Sequence, residues 1–156
     1  MTMADELAGP EELDRLEAVI DSWLGEQLVE NPVVSAVDRG DPDDRRWYVR
    51  LAGEQKDTFT IWFTLGQRTL HYETFVMPAP VENQAQFYEH LLRRNLKLYG
   101  AAFAIGAEDA IFLTGQIGVR DLDEAELDRV LGSLYVWVEQ FFRPAMRIGY
   151  ASLFKG

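Results

Sequence analysis

The chain has 156 residues, 26 of them acidic against 15 basic, and a formal net charge of −11. It contains no cysteine, which excludes disulfide frameworks, thiolate metal sites, iron–sulfur clusters and cysteine nucleophiles. That charge repels a phosphate backbone, so no nucleic acid partner is expected, and a chain this long is expected to form one domain over residues 1–156 with no staple needed.

Residues 1–9 read as a frayed lead. They hold no basic segment followed by an apolar core, so no signal peptide is predicted. No run approaches the roughly 18 apolar residues of a membrane span, so a cytoplasmic protein with no membrane partner is expected. Pro10 suits the first turn of a helix, where its missing N–H costs nothing. Leu13, Leu16, Ile20, Trp23, Leu24 and Leu28 recur at helical spacing, and Asn31-Pro32 ends the helix. This helix is acidic: before Asn31 Arg15 is the only base. Val33–Val37 fits a short strand or an extended lead-in.

Three strands follow, "WYVRLAG", "TFTIWFTL" and "TLHYETFVM", joined by hairpin-length connections. Phe59, Ile61, Phe63 and Leu65 alternate with Thr58, Thr60, Trp62 and Thr64, as in a half-buried strand. Asn83 with Gln86 suggests a capping box for a second helix over Asn83–Tyr99, with Gly100 as its stop. Two more strands flank Gly106–Asp109. Asp123 with Glu126 caps a third helix, whose Leu127, Leu131, Leu134 and Val138 share a face. Pro144 is expected to kink or end it. The order is α–βββ–α–ββ–α, an α+β domain with an antiparallel sheet packed by helices.

Glu108 and Asp109 stand side by side between apolar runs. A catalytic pair needs a pocket that drives two pKa values apart, and a loop tip supplies none, so this is read as a four-residue turn with Gly106 providing the unusual backbone angles. His71 and Glu73 lie two apart on one strand and could serve as base and orienter beside an aromatic pocket from Trp62, Tyr72 and Phe75. The plainer reading is a polar patch on a solvated sheet face. His71 and His90 are the only histidines, on different elements, and make a poor metal set. "DRGDPDD" and "DLDEAELD" depart from the calcium-loop pattern, so neither metal nor cofactor is expected. His90, Arg93, Arg94 and Lys97 complement a helix C-terminus, and could also meet the acidic first helix of another subunit.

With a four-residue loop, one face of the 101–117 hairpin carries Ala101, Phe103, Ile105, Ala110 and Phe112. The other carries Ala102, Ala104, Ile111, Leu113 and Ile117. Both faces are apolar, and three helices do not easily cover both. Ala102, Phe103, Ile105, Ile111, Leu113 and Ile117 are therefore candidates for a dimer or partner surface.

The phrases "WYVRLAGEQKDTFTIWFTL", "LHYETFVMPAP", "LLRRNLKLYGAAFAIGAEDAIFLTGQI" and "FFRPAMRIGYASLF" resemble the YbjN family, actinobacterial members above all. The likeness runs from about Leu13 to Phe154. It implies the fold of type III secretion chaperones, small acidic dimers with the same element order. It also implies no enzyme activity, no catalytic residues, and a regulatory or chaperone-like role as a homodimer with a further protein partner. The alternative is a small-molecule-binding domain or enzyme using His71 and Glu73.

Overall fold

In a computed structural model, which describes residues 7–153, Pro10 is the first residue of helix α1 (Pro10–Glu30). Asn31 closes the helix, and its side-chain oxygen accepts from Val33 N–H at 3.2 Å. The expected frayed lead lies outside the described residues as far as residue 6. Its end is tied down, since Ala8 is buried and its N–H donates to Gln67 O at 2.9 Å.

Six strands form one antiparallel sheet in the order β1-β2-β3-β4-β6-β5. They are β1 (Val34–Arg39), β2 (Arg46–Ala52), β3 (Thr58–Leu65), β4 (Thr69–Met77), β5 (Ala102–Ile105) and β6 (Ile111–Gly118). The meander thus has one strand more than the three expected, because Val34–Arg39 pairs with β2 from Leu51 to Trp47. Arg39 at its end also binds α1, with ion pairs to Glu17 at 2.7 Å and Asp21 at 3.1 Å. Arg45 pairs with Asp14 at 2.8 Å. Acids of α1 are therefore engaged within the chain, which removes much of the reason to expect a second subunit's cations there.

Helices α1 and α3 (Glu124–Gly149) lie on the same face of the sheet. Trp23 of α1 meets Phe63 edge-on, and Tyr135 and Phe141 of α3 meet Phe59 and Phe103. Trp47, Val49, Leu51, Ile61 and Leu113 complete this core, all at 0% exposure. Two tryptophan N–H groups inside it are satisfied by carboxylates at its margin: Trp23 Nε1 donates to Asp128 and Trp47 Nε1 to Asp21, each at 2.7 Å. An unpaired indole N–H there would carry a desolvation penalty.

Two local expectations are corrected. Asn83 is not a side-chain cap: its backbone is left-handed (φ 53), and its amide donates to Ile148 O at 2.9 Å. Together with Val81 and Glu82 N–H on Gly149 O, it closes the C-terminal end of α3. Helix α2 is shorter than expected, Gln84–Asn95. Of the two outcomes expected at Pro144, a kink or an end, the helix does not end there, since α3 runs through it to Gly149. It is held by packing beyond the proline, where a Cβ on Gly149 would sit 2.8 Å from the Phe87 ring. Asp123 does cap α3, accepting from Glu126 N–H at 2.8 Å.

The hairpin register also differs. Phe103 pairs with Leu113 and Ile105 with Ile111, so the connection has five residues and not four. A one-residue slip moves every side chain to the other face. Phe103, Ile105, Ile111, Leu113 and Ile117 therefore share the helix-side face, whereas Ala102, Ala104 and Phe112 turn the other way. Glu108 and Asp109 are the exposed tip, as expected. Both take the left-handed conformation (φ 58), while Gly106 does not. Glycine is required at 106 for another reason, since a Cβ there would lie 2.5 Å from the Phe112 ring.

Candidate functional site

The sheet face away from α1 and α3 is laid out by strand register. Tyr48, Trp62 and Glu73 form one cross-strand row, continued by Thr114 and Ala102. Arg46, Thr64, His71 and Gln116 form the row beside it. Phe75 packs edge-on to Phe112, with centroids 5.8 Å apart, and Trp62 lies 6.3 Å from Phe112. The face is therefore half-solvated with an aromatic centre.

His71 and Glu73 do share this face, but they do not act on each other. His71 Nε2 lies 2.9 Å from Thr114 Oγ1. Glu73 lines a shallow hollow of about 230 Å³ with Arg46, Tyr48, Trp62 and Thr64, and His71 is not part of that lining. The expected aromatic pocket is corrected as well. Tyr72 points to the other side, is 1% exposed, and donates its hydroxyl to Gly100 O. Burial raises the Tyr72 pKa, with Arg129 opposing. Among the described residues no group of three or more His, Cys, Asp or Glu is gathered as a metal site.

A second feature lies at the sheet edge. Strand β5 is the last in the sheet, and its outer edge is met by Asn95 at the end of α2, whose side-chain oxygen accepts from Phe103 N–H at 2.7 Å and whose amide donates to Phe103 O at 3.3 Å. Beside it α2 leaves an apolar groove of about 260 Å³, lined by Tyr88, Leu91, Leu92, Phe103, Ala104, Ile105 and Ile111. Its rim is open to water: Leu92 is 67% exposed and Ile105 56%. Leu96 (87%) extends the apolar surface beyond the end of α2, whereas Tyr99 packs its ring against the Arg129 guanidinium at 4.9 Å. Of the six residues proposed for a partner surface, Phe103, Ile105 and Ile111 line this groove. Leu113 and Ile117 are core, and Ala102 is on the opposite face. Leu91 and Leu92 are neighbours on α2. Their i, i+1 spacing splits them between the core side and the rim, a distinction visible once β5 is in place.

Other charged groups tie elements together. Glu139 of α3 accepts N–H bonds from Glu54, Gln55 (2.9 Å) and Lys56 (3.1 Å), clamping the β2–β3 turn. Lys56 Nζ donates to Val76 O at 2.7 Å and sits between the rings of Phe75 and Phe142. Burial lowers its pKa. His90 is held below its ordinary pKa by burial and, second, by the charge of Arg94.

The fold and these surfaces can be set against known proteins. A family described as "Putative bacterial sensory transduction regulator" matches residues 12–145. The chain belongs to the YbjN family. YbjN relatives include the uncharacterised protein Rv0487 of Mycobacterium tuberculosis, 36% identical over 104 residues, covering 67% of this chain and 57% of that one. The uncharacterised ML2442 of Mycobacterium leprae is 32% identical over 107 residues, 69% of this chain and 58% of that one. The match thus spans less than three fifths of these relatives' length. The fold of this YbjN chain is that of type III secretion chaperones. It aligns with a chain from the crystal structure of the Yersinia pestis type III secretion chaperone SycH in complex with a stable fragment of YscM2 (TM-score 0.52, 16% identity, 79% of this chain and 96% of that one). It also aligns with a chain of the HopA1–SchA chaperone–effector complex (TM-score 0.56, 15% identity, 88% and 98%).

Proposed function

We propose that this YbjN protein is a non-enzymatic, chaperone-like protein-binding module that works as a homodimer and engages a further protein partner. The observation that carries the reading is the α2–β5 edge, where an apolar groove adjoins exposed Leu92, Leu96 and Ile105. Apolar patches of this kind on small proteins mark protein interfaces. A second copy placing the same surface across a two-fold axis would cover it. The chaperone fold and its partner-bound neighbours support the same reading. His71 bonded to Thr114, outside the Glu73 hollow, gives the enzymatic alternative little support. Sedimentation velocity at tens of micromolar protein tests it. The expected mass is twice the 17.8 kDa chain. Leu92→Glu with Ile105→Glu, both at exposed positions, should return it to the monomer with the fold intact. A monomeric native chain, or a dimer untouched by both substitutions, would overturn the proposal.

A further inference from the structure

The hollow on the open sheet face carries opposite charges that do not meet. Glu73 is half-buried beside the Trp62 indole, yet among the described residues its carboxylate has no hydrogen-bond donor and no cation within ion-pair distance. Arg46 stands on β2, two strands away and two residues along, which at about 4.8 Å per strand and about 3.4 Å per residue is roughly 12 Å of backbone separation. Its Nε donates to Thr64 Oγ1 at 3.3 Å, which orients the guanidinium and leaves the two terminal nitrogens for another acceptor. Tyr48 and Trp62, paired across β2 and β3, form the aromatic floor between them. A Cβ on Gly40 would crowd Arg46 at 3.2 Å and Tyr48 at 3.4 Å.

Each group selects one part of a ligand. A half-buried carboxylate next to an indole face takes an ammonium, by charge-assisted hydrogen bonding and by cation–π attraction. A guanidinium with free terminal N–H groups takes a carboxylate in bidentate fashion. Both ends line the same hollow, and about 230 Å³ is room for one small molecule. We infer that this hollow binds the zwitterionic head of a free α-amino acid, its ammonium on Glu73 over Trp62 and its carboxylate on Arg46. The site is separate from the α2–β5 edge and stands whether or not that edge dimerises.

The test is a ¹H–¹⁵N correlation titration of the full chain with glycine, L-leucine, L-lysine and L-phenylalanine, taken to tens of millimolar because so small a ligand on an open hollow binds weakly. Saturable shifts are expected at the amides of Arg46, Tyr48 and Glu73 and at the Trp62 indole N–H. Glu73→Gln and Arg46→Gln should each weaken binding about tenfold or more, since each removes a charge-assisted contact. Both lie on a partly solvated face, and the spectrum itself shows that each variant is folded. N-acetylated and C-amidated amino acids should lose binding to a similar degree. Absence of saturable shifts, equal binding in the two variants, or binding of dipeptides or methylammonium alone with no response to free amino acids would each overturn the assignment.

Discussion

Glu139→Ala removes the acceptor that closes the β2–β3 turn onto α3. Glu54, Gln55 and Lys56 lose a shared carboxylate, although residues 54 and 55 are exposed and exchange it for water. Only the Lys56 N–H is left partly shielded. A hydrogen bond to a charged group contributes about 1.5–3 kcal/mol where it is protected, and much less where water competes. The expected cost is therefore about 1–3 kcal/mol. It should appear as a lower urea midpoint at unchanged slope, because the surface exposed on unfolding barely changes. Glu139→Gln, which keeps one acceptor oxygen but loses the charge, should fall between. Amide exchange at residue 56 should rise in both variants. Gln140→Ala, one position along and exposed, serves as control and should stay within about 0.5 kcal/mol. The reasoning fails if Glu139→Ala is as mild as the control and leaves exchange at residue 56 unchanged.

Leu134, 1% exposed under the sheet, should cost roughly 2–5 kcal/mol on replacement by Ala, measured by denaturant titration. Glu108→Gly should raise the melting temperature slightly, because it removes a side chain from a left-handed position (φ 58) and the exposed carboxylate has no other work there. His90 should make stability fall on acidification. Its folded pKa lies below the ordinary 6.5 through burial and Arg94, so the unfolded chain takes up the proton first. The contribution is intact above pH 6.5 and is lost as pH falls toward the folded value. His90→Leu should flatten that part of the pH–stability curve, and an unchanged slope would refute the assignment.

Much of the fold is legible along the chain because local rules and global packing agree. Pro10 and Asn31-Pro32 bound α1 for stereochemical reasons, and the alternation from Thr58 to Leu65 is the burial pattern of β3 itself. The discrepancies fall where partners distant in sequence decide. Val34–Arg39 is polar in its second half, yet it becomes a strand through pairing with β2 and Arg39's grip on α1. The hairpin faces depend on whether the loop has four or five residues, and Glu108 and Asp109 absorb the extra one in left-handed conformations that composition does not favour for Glu. Asn83 looks like a cap locally, but the end of α3 claims its side chain. The same holds for function. Glu73 was visible as a candidate, whereas its neighbours Arg46 and Tyr48 join it only through strand order. Leu92 stands out only once β5 runs beside α2.

The central claim is that the α2–β5 edge is where this protein meets another polypeptide. Photo-cross-linking tests it most directly, with a benzophenone side chain at Leu92 or, as control, at Val136, an exposed position on α3. At tens of micromolar purified protein, irradiation should join two copies efficiently from position 92, with cross-links mapping to residues 84–111, and hardly at all from position 136. Equal yields from both positions, or dimers formed from 136 alone, would contradict the account.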